Sequence, residues 1–331
     1  AGELLSPVGE FPGPGALVLD LEGASAGDAA PWIPALLDQL PTLPCVTIAL
    51  GGSPHEVAQA AVAKSCDVFL ESAEELPSLL AGFATTPIAA LAFVQLLRST
   101  VDASIYGGLV SESFVYSTLQ SGQEFRSWLE TRQSLKKEKR IRDEGVSACR
   151  MDRDRDRLEI WLSRPEKHNA FSRGMRDSLT EALQLGLSDP SIEEIVLSGE
   201  GTSFCSGGDL DEFGDFPNPA EAHAIRTTRS PALLLSRLSD RVRCEVHGAC
   251  VGAGAELPAF TGRVVATEEA FFQLPEVGLG LVPGAGGTVS LPRRIGSQRT
   301  AWLGLSGARI DARKALAWGL VDEVRLRQHV D

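Results

Sequence analysis

Three glycine-rich loops hold the residues whose types and spacing suit catalysis. The first, GEGTSFCSGGDLDEF at 199–213, follows an apolar run, precedes a predicted helix and contains Gly207 and Gly208. Neither has a Cβ, so a ligand can approach their backbone N–H groups closely, and a helix start is a natural anion site. The second, EVHGACVGAGAELP at 245–258, is predicted to pass from strand into helix. Ala253 and Gly254 then lie in the first turn, where N–H groups are free and the dipole is positive. Glu256 sits just inside that turn, and Pro258 is tolerated there as an early helix residue. The third, FFQLPEVGLGLVPGAGGT at 271–288, sets Glu276 among apolar and glycine residues. A carboxylate in such surroundings is costly unless it is satisfied or used. Pro283-Gly284, followed by Gly286-Gly287, offers a further backbone N–H. Taken singly, each loop reads equally well as a turn, a favourable helix-end charge or an ordinary hydrogen-bonded glutamate. Taken together, two amide donors can hold the oxygen of a thioester or other acyl carbonyl as it becomes an enolate. Two carboxylates can then move protons to and from carbon and water.

The elements that must position these loops follow from hydrophobic pattern. Residues 158–162, 194–198, 242–246 and 264–266 read as strands, and 173–185 as an amphipathic helix, so the C-terminal half is α/β. Towards the N-terminus, runs at 16–21, 45–50 and 67–70 read as strands, with helices near 32–40 and 57–64, again a β-α-β alternation. From 87 to about 132 the pattern is helical, with Ile88, Leu91, Val94 and Leu97 at helical spacing. Leu109, Phe114, Leu119, Phe125, Trp128 and Leu129 continue a broad apolar stripe. Helices this apolar must pack on something. The basic run KKEKRIR at 136–142, leading into MDRDRDR at 151–157, reads as an inter-domain boundary. Its lysines and arginines are either a solvated helix end or a phosphate contact.

Composition bounds the function. The chain has 331 residues with 43% hydrophobic and 23% charged, which is ordinary globular material. Its formal charge of −13 makes nucleic acid and anionic membrane poor default partners. No apolar run approaches the ~20 residues of a membrane span, and the first residues, AGELLSPVGEF, do not read as a signal peptide. The six cysteines form no C-x-x-C pair and no zinc-ligand spacing, so they read as reduced and the chain as cytoplasmic. No metal motif, phosphate loop or Gly-x-Ser-x-Gly elbow is present. His247 and His168 read as structural or surface residues, His55 and His223 have no partner pattern, and Trp302 and Trp318 read as core or interface.

The ordered series of motifs resembles the crotonase (enoyl-CoA hydratase/isomerase) superfamily. It runs from LSRPEKHNAF at 162–171 through FCSGGDL at 204–210, GACVGAGAEL at 248–257, LPE at 274–276 and PGAGGT at 283–288. It closes on ALAWGLVDEV at 315–324, so the resemblance covers about 155–325. It implies a crotonase-like spiral of ββα units in the C-terminal half. It also implies that the N–H groups of Gly208 and Ala253 form an oxyanion hole. Glu256 would then activate water for attack at Cβ, Glu276 would deliver a proton to Cα, and Gly284 would hold that water or the acyl chain. Lys167, Ala170, Ser206, Asp209 and Leu210 match positions lining the coenzyme A arm. Coenzyme A enters as part of the substrate, with no separate cofactor and no metal, and the family implies a homo-oligomer.

The sequence departs from the family pattern at several points. Ala253 stands where glycine is common, Gly262 where many hydratases carry Asp, and Pro258 follows the first glutamate closely. Family members also continue past the 315–324 motif into a helical tail that covers the site and builds the oligomer, whereas residues 87–132 here read much like such a tail. The expected organisation is therefore a degenerate α/β segment at 1–85, a helical cover and linker at 86–145, and a crotonase-like core at 146–331. Three activities remain open on the residues alone: hydration of a 2-enoyl-CoA, another acyl-CoA reaction (isomerisation, hydrolysis or decarboxylation), or non-catalytic acyl-CoA binding.

Overall fold

The computed structural model describes residues 15–22, 33–52, 56–135, 147–215 and 218–326. The basic run at 136–142, His55 and the N-terminal AGELLSPVGEF lie outside the described residues.

A six-stranded sheet forms the larger scaffold, in the order β12-β9-β7-β6-β5-β4. Its strands are β4 (Cys149–Asp154), β5 (Arg157–Leu162), β6 (Glu194–Gly199), β7 (Val242–Val246), β9 (Arg263–Thr267) and β12 (Glu323–Arg325). Only the β4–β5 pair is antiparallel. Strict alternation makes β5: Leu158, Ile160 and Leu162 are buried, and the residues between them are not. The helix Arg173–Ser188 packs Met175, Leu179, Ala182 and Leu183 into the same core, and Ser172 caps it by accepting from the Met175 N–H. A short sheet, β11-β10-β8, lies in the C-terminal half: β8 (Ala249–Val251) runs parallel to β10 (Phe271–Gln273), which pairs antiparallel with β11 (Ile310–Asp311).

The alternating Arg/Asp run at 151–157 lies within the six-stranded sheet. Most of it is β4, which turns through Arg155 at φ 55° into β5. All of β4 beyond Cys149 is exposed, so it carries no apolar signal. Contrary to expectation, the first loop does not open a helix: 200–215 stays irregular, and the next helix starts at Pro219. Pro258 likewise begins a separate 3-10 turn, Pro258–Phe260, after the four-residue helix Ala253–Glu256.

Further towards the N-terminus, β1 (Ala16–Asp20), β2 (Val46–Leu50) and β3 (Val68–Leu70) make a parallel three-stranded sheet. The helices Pro87–Thr100, Ile105–Gln120 and Gln123–Leu135 follow. The apolar cluster around Ile48, Phe93, Val94 and Leu97 also contains Val277, Leu281, Val282, Ala301 and Leu305, so one core joins the two halves of the chain. Contact is close: a Cβ on Gly82 would lie 2.3 Å from the Leu305 carbonyl oxygen. Arg98 fastens the 87–100 helix to the small sheet through Asp67, at 2.8 Å to Oδ1 and 2.6 Å to Oδ2. No single described helix is long and apolar enough to cross a membrane.

On the middle helix Leu119 is buried and Leu109 packs on the core as the stripe predicts, but Phe114 does not follow it. Phe114 is 56% exposed, whereas Glu112, Ser113 and Ser117 are buried beside Gly108 and Leu119.

Candidate active site

The first two loops run side by side. Cys205 bridges Cys250 in parallel, with the Cys205 N–H donating to Ala249 O (3.0 Å) and the Val251 N–H to Cys205 O (3.0 Å). The two loops stay close further along, where a Cβ on Gly252 would lie 3.5 Å from Gly207 Cα. Gly207 (φ 93°) and Gly252 (φ 50°) make the approach possible, since both need backbone that side chains resist. Among the described residues, the N–H groups of Gly208 and Ala253 donate to no acceptor, and both residues line one cleft of about 220 Å³. Glu256, Glu276 and Gly284 line the same cleft.

Each glutamate has a distinct environment. Glu256 is 1% exposed, and its Oε2 accepts from the Ala285 N–H (2.7 Å) and the Gly287 N–H (2.8 Å). A Cβ on Gly287 would lie 2.6 Å from Glu256 Cγ, so glycine is what lets this carboxylate reach the loop. Glu276 starts the 3-10 turn Val277–Leu279, and its buried Oε2 has no hydrogen-bond partner. Burial pushes the Glu276 carboxyl up to about 8, with the Glu112 charge adding to the shift. Burial, followed by the charges of Glu276 and Glu112, holds the Glu256 carboxyl well above its ordinary range, against the pull of the two amides.

The helix Ile105–Gln120, within the segment expected to cover the site, supplies one wall of the cleft, and its Glu112 is the residue that sequence reasoning did not single out. Glu112 is 2% exposed and accepts from the Gly286 N–H (2.7 Å), the Thr288 N–H (2.9 Å) and the Thr288 hydroxyl (2.7 Å). Burial raises its carboxyl to about 7, and these donors oppose the rise. Tyr116 packs against Gly284, where a Cβ would meet its ring at 2.5 Å, and Arg226 lies over the other side of the ring, 4.6 Å from its centroid. Arg226 donates from Nε to Ser113 Oγ (3.1 Å) and also reaches Ser117 Oγ and Gln120 Oε1. His223, for which the sequence offered no partner, shares Ser113 Oγ at 2.9 Å and stacks on Phe114. One sequence signal was available: Glu112 is the sole charged residue of IYGGLVSESFVYSTLQ.

The residues assigned to the coenzyme A arm lie along the outer side of the first loop. Of these, Asp209 borders the cleft; its Oδ2 pairs with Arg164 Nη2 at 3.1 Å. Lys167 Nζ is held by Asp211 at 2.7 Å, the Ala170 carbonyl accepts from Arg164 Nη1 (2.9 Å), and the Ser206 N–H donates to His168 O (3.0 Å). Lys167, Ala170, Ser206 and Leu210 are not part of the cleft lining. His247 is tied to the Gly201 carbonyl at 3.0 Å. All six cysteines are free and buried.

The mixed α/β scaffold that carries these loops is shared with solved structures of crotonase fold. An enoyl-CoA hydratase from Mycobacterium smegmatis matches with a TM-score of 0.50 and 32% identity, over 54% of this chain and 70% of that one. An enoyl-CoA hydratase from Bacillus anthracis gives 0.50 and 30%, over 54% and 70%. The family model Enoyl-CoA hydratase/isomerase matches residues 156–331. The chain belongs to the enoyl-CoA hydratase/isomerase family. Among curated relatives, the 2,3-dehydroadipyl-CoA hydratase of Escherichia coli is 36% identical over 169 residues, 50% of this chain and 65% of that protein. The 1,2-epoxyphenylacetyl-CoA isomerase of the same organism is 34% identical over 171 residues, again 50% and 65%. The match thus spans a little under two thirds of these relatives.

Proposed function

We propose that the protein adds water across the double bond of a 2-enoyl-CoA thioester. The observation that carries this is the pair of unengaged amides, on Gly208 and Ala253, in one cleft with the buried Glu256 and the partly exposed Glu276, whose Oε2 is buried without a partner. The amides hold the thioester oxygen as negative charge develops on it, a contribution of roughly 3–4 kcal/mol each. Two N–H donors orient the Glu256 carboxyl and offset part of the rise that burial imposes on it, and in this reading it takes a proton from water as the oxygen attacks Cβ. Glu276 Oε2 meets no donor, which favours its protonated form, so it delivers the proton to Cα. The enolate then collapses to the 3-hydroxyacyl thioester, and the proton taken by Glu256 returns to Glu276 through the next water.

In this account the coenzyme A arm runs along 167–171 and 206–210, where Lys167 exchanges its Asp211 partner for a phosphate. The 105–120 helix covers the acyl end. A homo-oligomer fits the same account, since Val101, Tyr106 and Phe114 stand more than half exposed on the helical segment. The test is a panel of 2-enoyl-CoA thioesters differing in length and aromaticity. Loss of the conjugated thioester absorbance, with a product heavier by one water, is expected. Binding without turnover across the panel would leave only an acyl-CoA-binding protein, and a shifted double bond without added water would make it an isomerase.

A further inference from the structure

Four successive amides, on residues 285–288, are divided between two carboxylates. Ala285 and Gly287 donate to Glu256 Oε2, whereas Gly286 and Thr288 donate to Glu112. The loop is therefore clamped from both sides, and Gly286 at φ 104° lets the chain present its N–H groups in this alternating way. The Thr288 hydroxyl adds a third donor to Glu112. Glu112 comes from 174 positions earlier in the sequence than Gly286, on the helix whose Gly108 packs directly on Val289.

We propose that Glu112 is a positioning residue for Glu256: by fixing the 285–288 loop, it fixes the two amides that orient the catalytic carboxylate. The inference rests on the hydratase account, because it assigns Glu112 no contact with the reacting atoms. Without Glu112, the Gly286 and Thr288 N–H groups at the start of the helix Gly287–Ile295 are buried donors with no acceptor, and the loop must rearrange to satisfy them. The Ala285 and Gly287 donors then leave their places, and Glu256 loses its fixed direction. The catalytic half of the chain is on this view incomplete without the helix at 105–120.

The test is a double-mutant cycle on the full chain, read as kcat and KM for whichever enoyl-CoA the panel selects. Glu112→Gln keeps the shape but turns an NH2 towards an amide donor. It is expected to lower kcat by ~10–100-fold with KM within ~3-fold. In a Glu256→Gln background the same change should cost less than ~3-fold, because the group being positioned has gone. If Glu112→Gln does not fold, Thr288→Val removes one donor and leaves the carboxylate. Its expected loss is ~3–10-fold in kcat, with the same collapse in the Glu256→Gln background. A wild-type kcat in the folded variant, or a loss that multiplies undiminished onto Glu256→Gln, would overturn the proposal. If Glu256→Gln alone keeps full hydration, the catalytic account itself fails and this inference falls with it.

Discussion

Raising the pH should weaken the fold, and the buried glutamates set the size of the effect. Between 4.5 and about 7, the unfolded chain has released the Glu112 proton while the native protein keeps it. The native state then binds more protons than the unfolded one, so stability falls as pH rises through this window. Glu276, raised to about 8, and Glu256, also raised by burial, extend the decline in the same direction. For Glu112 alone, displacement from 4.5 to about 7 corresponds to roughly 3 kcal/mol above both values. Asp189 and Glu323, held at about 2 by serine and arginine partners, act in the opposite sense, but only below their ordinary range. Urea unfolding compared at about pH 5.5 and about pH 8.5 should show the drop, and Glu112→Gln should make it smaller, with Glu276 and Glu256 supplying the remainder. Stability that is constant or rises across the same interval would refute the reasoning.

Other expectations follow from close contacts. Gly252→Ala would put a Cβ 2.3 Å from Glu276 Oε1 at φ 50°; hydration should fall by ~10²-fold or more, read as initial rate. Asp67→Ala would remove the counter-charge of Arg98, which keeps the Leu43 and Cys45 carbonyls, and leave the Thr47 N–H, which now meets Asp67 at 2.7 Å, without that acceptor; a loss of ~1–3 kcal/mol is expected in denaturant titrations. The six buried thiols, with Cys66, Cys149 and Cys205 pushed up to about 12 by burial, should resist a thiol reagent in the native state and react in full only on unfolding. Prompt native reaction of several thiols would contradict this burial.

What the sequence reveals depends on whether function is written into local backbone or into tertiary placement. Gly207, Gly208, Gly252 and Gly287 sit where close approach or positive φ requires glycine, so the loops announce themselves. Glu256 and Glu276 are conspicuous because their neighbours are apolar. Glu112 is hidden because its helix, set among Leu109, Phe114 and Leu119, suggests an apolar inner face, whereas the protein buries the polar one against the 285–288 loop. Strand β4 is hidden for the converse reason: at the sheet edge its side chains reach solvent, and Arg150 covers Trp161 at 3.7 Å instead of offering apolar alternation. The shared core between 46–125 and 277–305 is a matter of tertiary contact, which periodicity along one strand or helix does not encode.

The most direct measurement is the rate of water addition by Glu256→Gln and Glu276→Gln against the unmodified enzyme on the same 2-enoyl-CoA, with product mass recorded. Each change should cut turnover by ~10²–10⁴-fold while thioester binding persists. Rates equal to that of the unmodified enzyme in either variant would contradict the assignment of these two carboxylates to proton transfer.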